Sequence, residues 1–204
     1  EAGNIIRYNF AHHNAVTEDG SEGDMTKGAS GLYLDDSSGG MHIHGNVFYK
    51  CGRDRAAVKI NGGNDVKVDN NIFIACQKPL QIRSTTFADL HGDDSIVRVR
   101  MKDRIHYDKP PYSAAYPYLD DYLEKGVNGR RITVKKNVYV NTIDEVYDFI
   151  GDPKADIENN FETEGDPGFY GMSSMDFRLK PDSPVFSRIE GFKPIPFEKI
   201  GRIR

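Results

Sequence analysis

The chain has 204 residues, with 27 Lys and Arg against 31 Asp and Glu and a net charge of −4. That balance excludes the basic excess of a nucleic-acid protein, and no apolar run approaches the roughly 20 residues of a membrane span. The length suffices for one sizeable core, built without Trp but with 11 Tyr and 11 Phe.

The first residues, Glu1 to Phe10, already read as the middle of a repeat. A solenoid needs a cap at each end, so further N-terminal coils of the same protein are expected. The repeat is plainest from Gly31 to Ile82. Met41–Cys51 overlies Val66–Cys76, pairing Ile43 with Val68, Asn46 with Asn71, Phe48 with Phe73 and Cys51 with Cys76. The offset is 76 − 51 = 25 residues throughout. A strand-rich unit of that length with Gly and Asn punctuation is a solenoid signature. The expected fold is all-β, a right-handed parallel β-helix.

Ile6–Asn9, Ile43–Asn46, Val68–Asn71, Val134–Asn137 and Ile157–Asn160 align as one corner of successive coils. Inward Asn residues there would hydrogen-bond backbone groups that the turn otherwise strands. Cys51 and Cys76 should stack about 5 Å apart, most simply as buried thiols. Coils should occupy residues 1–163. Two stretches break the period. Ala15–Ala29 is polar and Gly-rich and reads as a loop. Residues 84–130 form a larger insertion, expected as a folded lid beside the solenoid. In it, Leu119, Tyr122 and Leu123 have helical spacing before Gly126. Ile96–Met101 alternates and reads as a strand or the end of a helix. Residues 164–204 read as an irregular tail anchored by Phe169, Phe177, Phe192 and Phe197.

Gly31–Asp36, the Gly45–Phe48 coil, Pro110–Ser113 with Tyr116–Leu119, Asp166–Phe169, Phe177–Pro184 and the Gly191–Phe197 ending carry a resemblance. Together they resemble bacterial right-handed β-helix proteins of the pectate-lyase-like superfamily. More narrowly, they are similar to β-helix glycosidases and related proteins of polysaccharide-degrading bacteria. The resemblance implies a secreted, periplasmic or cell-surface protein whose partner is a polysaccharide or oligosaccharide. That superfamily includes lyases, hydrolases and non-enzymes, and fold alone does not choose among them.

Alternation assigns the outer wall. With the flanking aliphatics inward, Tyr33, Lys59 and Gln81 form one outward column, and Asp35, Asn61 and Arg83 the next. Asp36 follows in the turn. Glycoside hydrolysis needs two carboxyl groups flanking the bond. Asp35 or Asp36 would supply one, and the insertion (Asp93, Asp94, Asp108) or absent coils the other. Lys59 or Arg83 would keep a neighbouring carboxylate ionised. Tyr33 and insertion tyrosines such as Tyr107 suit stacking on sugar rings. Asn61, Gln81 and His91 would contact substrate.

A Ca²⁺-assisted β-elimination is the alternative chemistry. Lys59 would act as base beside Arg83, with Ca²⁺ on Asp35, Asp36 and Asn61; the coil from Ala56 to Asn64 contributes no acid of its own before Asp65. A third possibility is a non-catalytic carbohydrate-binding solenoid. His42 and His44 face outward on another wall, with Asp69 beside His44 and Lys67 beside His42. The Lys opposes a cation there, and no metal site is assigned.

Overall fold

The computed structural model describes residues 3–14, 29–52, 55–84, 98–120 and 129–201. It consists mostly of short strands in parallel sheets. The strands fall in threes along the chain, and each third strand returns to the same sheet. Sheet A holds β1 (Asn4–Arg7), β4 (Met41–His44), β7 (Lys67–Asp69), β10 (Ile132–Lys135) and β13 (Ala155–Glu158). Sheet B holds β2 (Phe10–His12), β5 (Val47–Tyr49), β8 (Ile72–Ile74), β11 (Val138–Val140) and β14 (Phe161–Thr163). Sheet C holds β3 (Leu32–Leu34), β6 (Ala56–Asn61), β9 (Lys78–Arg83) and β12 (Tyr147–Ile150). Coil therefore stacks on coil, and Ile6, Ile43, Val68, Val134 and Ile157 pair in one continuous register.

Alternation builds the core. Ile43, Val68, Val134, Val58, Ile60, Leu80 and Ile82 are fully buried between the sheets. Phe48, Phe73 and Tyr139 stack as an internal aromatic column at 5.0 and 5.3 Å. Sheet B is apolar on both faces. Val47, Ile72, Ile74, Val138 and Val140 point the other way and are covered by the tail. Strands buried on both faces read as unbroken apolar runs, which is why Ile-Phe-Ile and Val-Tyr-Val show no alternation.

The tail is more regular than its sequence suggests. It contains an antiparallel pair, β15 (Phe169–Gly171) and β16 (Asp176–Leu179), and a one-turn helix, α1 (Val185–Arg188). Phe169, Phe177, Val185, Ile189 and Phe192 bury against sheet B. Phe197 is half-buried at the same cluster.

The corner between sheets A and B repeats on every coil. Tyr8, Gly45, Asn70, Lys136 and Asn159 are all left-handed, with φ between 52° and 64°. Each precedes the aligned Asn, whose Oδ1 accepts both the backbone N–H and the side-chain N–H of the Asn on the preceding coil. These bonds run Asn9 to Asn46, Asn71, Asn137 and Asn160 at 2.8–3.1 Å. Each Nδ2 also donates to a strand carbonyl, as Asn71 does to Ile43 at 3.0 Å. The next corner holds Cys51 and Cys76 as buried free thiols. Burial pushes the Cys51 thiol up to about 12 and Cys76 higher still.

The expected helix after Leu119 falls mainly outside the described residues. Leu119 itself closes a 3-10 turn, Pro117–Leu119. Where Ile96–Met101 is described, it enters a π-helical turn, Val99–Arg104, and not a strand.

Candidate functional site

Sheet C brings the two outward columns together as the alternation requires. Tyr33 pairs with Lys59, Lys59 with Gln81, and Asn61 with Arg83. The Lys59 ammonium lies 4.7 Å from the Tyr33 ring centroid, a contact worth about 0.5–1 kcal/mol at an exposed site. Asn61 Nδ2 donates to Asp35 Oδ1 at 2.9 Å, and the Asp36 backbone N–H donates to the same oxygen at 2.9 Å. The Asn61 amide, followed by the facing Tyr33 hydroxyl, holds the Asp35 carboxyl below its ordinary range. Burial and then that same carboxylate push the Tyr33 hydroxyl upward. Partial burial lowers Lys59, helped by the Arg55 and Arg83 charges and opposed by Asp35 and Asp148.

Asn61 has a further property. Its Oδ1 is buried and has no hydrogen-bond partner. Asp36 and Ser37 form the turn that follows, with φ of 47° and 60°. The turn is tied to the next coil by the Ser37 N–H on the Asn61 carbonyl at 3.0 Å. Asp36 is exposed there.

The first column has a fourth member. Asp148 pairs with Gln81 in β12, and its Oδ2 accepts from Gln81 Nε2 at 2.7 Å and from Lys78 Nζ at 3.3 Å. Lys78 also meets Glu145 at 2.9 Å, and its affinity for its proton rises chiefly through that contact. Gln81 is therefore outward but nearly covered, and its amide is occupied by Asp148. Tyr147 and Phe149 alternate around Asp148, which was the sequence signal for it. Three strand spacings, about 14 Å, separate the Tyr33 and Asp148 levels. Paired glycosidase carboxyls sit about 5–9.5 Å apart, so Asp148 is not a partner for Asp35.

The inserted segment begins beyond Arg83, the last residue of β9. The described part, 98–120, rests on the corner between sheets C and A. Tyr116 lies against Gly3, and the Tyr118 carbonyl accepts from Arg131 Nη2 at 3.1 Å. Tyr107 is buried with Leu119 in the segment's own small apolar cluster, away from the Tyr33 column. Asp108 is exposed on this segment. His91, Asp93 and Asp94 lie outside the described residues.

On sheet A the register is as expected, His42 with Lys67 and His44 with Asp69. The side chains cross that register: His42 Nε2 meets Asp69 Oδ1 diagonally. The two imidazoles lie 4.4 Å apart, and burial followed by His42 lowers His44. Among the described residues no group of three or more His, Cys, Asp or Glu is arranged to hold a metal ion. Nor, among them, is any helix long and apolar enough to cross a membrane.

No family model matches the chain, and neither a curated protein nor a solved structure matches it.

Proposed function

We propose that this chain is part of a right-handed parallel β-helix of the pectate-lyase-like kind and acts as a glycoside hydrolase on a polysaccharide outside the cytoplasm. Right-handed winding is the hand that parallel crossovers nearly always take. One observation carries the functional reading. Asp35 is a carboxylate fixed by two hydrogen bonds on an open face, between the Tyr33 ring and the unpartnered Asn61 oxygen. An acid held ionised suits the base or nucleophile of glycoside cleavage and not the proton donor. The donor would come from Asp36 or from a carboxyl of a further coil. Tyr33 would bear a sugar ring, and Lys59 and Arg83 would keep the site cationic around the carboxylate.

A lyase is favoured by a separate observation, the placement of Lys59 and Arg83 on adjacent coils of one outward face. A lysine so placed can abstract the proton next to a uronate carboxylate, with Ca²⁺ on Asp35 and Asp36 oxygens.

The test is a glycan panel incubated with the wild type, Asp35→Asn, Asp36→Asn and Lys59→Ala. Reducing ends and ultraviolet absorbance are read together. New reducing ends without absorbance, lost in Asp35→Asn, support hydrolysis. Absorbance of an unsaturated uronide, lost in Lys59→Ala, replaces hydrolysis with elimination. Binding without product in any variant makes the face a non-catalytic saccharide surface and overturns both.

A further inference from the structure

Between the outer face of sheet A and the tail lies a groove with a cavity of about 370 Å³. Tyr8, His42, His44, Asp69 and Lys136, from four successive coils, line one side, and tail residues between Gly191 and Pro196 line the other. Both sides are fixed. Asn70, in the left-handed corner of its coil, donates from Nδ2 to the Lys193 carbonyl at 2.8 Å and accepts the Lys193 N–H on Oδ1 at 2.7 Å. Two coils on, Asn159 donates to the Glu190 carbonyl at 3.0 Å. Gly45 and Gly191 leave room for side chains. A Cβ at Gly45 would stand 2.8 Å from the Tyr8 ring, and one at Gly191 3.3 Å from the Lys136 ammonium. Tyr8 and Lys136 therefore lie against bare backbone at the groove, each held in place.

The charges around the groove are mostly of one sign. Lys136 and Lys193 line it, and Arg7 and Lys199 stand 5.2 and 6.0 Å from the Tyr8 ring centroid. Among the described residues lining the cavity, Asp69 is the one carboxylate, and His42 Nε2 already meets it. Lys136 and His44 are both partly exposed. Among the described residues, neither the Lys136 ammonium nor a ring nitrogen of His44 has a hydrogen-bond partner. Concave surfaces lined by charge of one sign concentrate ligands of the other. The groove is also long: three strand spacings, about 14 Å, separate the Tyr8 and Lys136 levels. A single small anion would leave most of it empty, whereas a short run of sugar residues follows its length.

We propose that this groove is a second contact for the polysaccharide, on another wall from the sheet C face, and that it takes a sugar residue bearing a carboxylate or sulfate group. The anionic oxygens accept from Lys136 Nζ and from a ring N–H of His44, and sugar hydroxyls meet the His42–Asp69 pair. The inference rests on the saccharide reading for the polymer, and on the groove itself for the charge.

The test measures affinity by calorimetry for two pairs of oligosaccharides. A galacturonate tetramer is set beside its methyl ester, and a sulfated galactan oligomer beside its desulfated form. The charged member of at least one pair is expected to bind about tenfold more tightly, and the pair that shows the preference identifies the group. Lys136→Asn should remove most of that preference. Asn stands at the same left-handed corner on the coils before and after, Asn70 and Asn159, so the fold tolerates it. His44→Gln should weaken the charged member and leave the uncharged one unchanged. Equal affinity within both pairs, or a preference that survives Lys136→Asn and disappears in Lys59→Ala, overturns the groove and leaves the hydrolase reading standing. Failure to bind any saccharide overturns both.

Discussion

Two corners of the same coil stack behave in opposite ways. Between sheets A and B, every coil makes the turn alike: a left-handed residue, then a buried Asn bonded to the Asn above and below. Between sheets C and A, the positions aligned across coils are Gly39–Gly40, Asn64–Asp65 and Arg130–Arg131. The first corner satisfies its inward groups internally and leaves none of them for a ligand. The second holds an insertion, a cavity and a buried amide nitrogen, Asn64 Nδ2, without a partner. Repetition marks the part that holds the stack together, and departure from it marks the part free to acquire chemistry.

The comparison can be broken most sharply at Asn71. Asn71→Ala removes the acceptor for two Asn46 donors and the donors to Ile43 and Asn137, all buried. Two or three groups left unpaired at about 1–3 kcal/mol each predict a loss of about 3–5 kcal/mol. Asn160→Ala, at the partly exposed end of the ladder, should cost about 1 kcal/mol. Urea unfolding of the pair checks this, and equal losses would mean that the ladder is not cooperative. At the other corner Gly39→Ala drives a Cβ into backbone atoms of Asn64. Its expected cost is about 1–3 kcal/mol, read in the same titration.

The middle corner sharpens the contrast kinetically. Cys51 and Cys76 are buried, and their proton affinities are raised by that burial. Neither thiol should react with a disulfide reagent at pH 8 until the protein unfolds, and prompt native-state reaction would place this corner among the open ones. The smallest effect belongs to the outer face. Asp35 should titrate below ordinary aspartates in carbon NMR, and Tyr33→Phe should move it back up. Because its folded value is lowered, its small stabilising contribution is present above the unfolded carboxylate range, about 3.9, and is lost as pH falls through the folded value. An Asp35 that titrates normally in both proteins would remove it as the fixed carboxylate.

The 25-residue offset between Cys51 and Cys76 made the coil register legible, since equal spacing forces His42 opposite Lys67 and Tyr49 opposite Ile74. Alternation likewise placed Tyr33, Lys59 and Asn61 outward. The left-handed column was not legible. Tyr8, Gly45, Asn70, Lys136 and Asn159 share a backbone conformation but no side-chain chemistry, because the ladder behind them fixes the turn. The position of the inserted segment was hidden for another reason. Its apolar residues say that it must bury something, but periodicity does not say against what. The diagonal between His42 and Asp69 was missed because strand register locates backbones, while long side chains reach their neighbours obliquely.

The asparagine column has a direction. Asn9, Asn46, Asn71 and Asn137 each donate a side-chain N–H to the Asn of the following coil, and Asn46, Asn71, Asn137 and Asn160 accept from the preceding one, so the five small dipoles point the same way and reinforce one another. Such a column is indifferent to how many members it has but intolerant of a broken link. Excising one whole period, from Asn46 to the residue before Asn71, would join Asn9 directly to Asn71 with every donor still facing an acceptor. Removing a single residue from inside a strand of that period would turn the rest of the strand inside out. The strands are in this respect counted in coils, and added residues are taken up between strands, as the spacings of 37, 25, 66 and 23 residues between Asn9, Asn46, Asn71, Asn137 and Asn160 show.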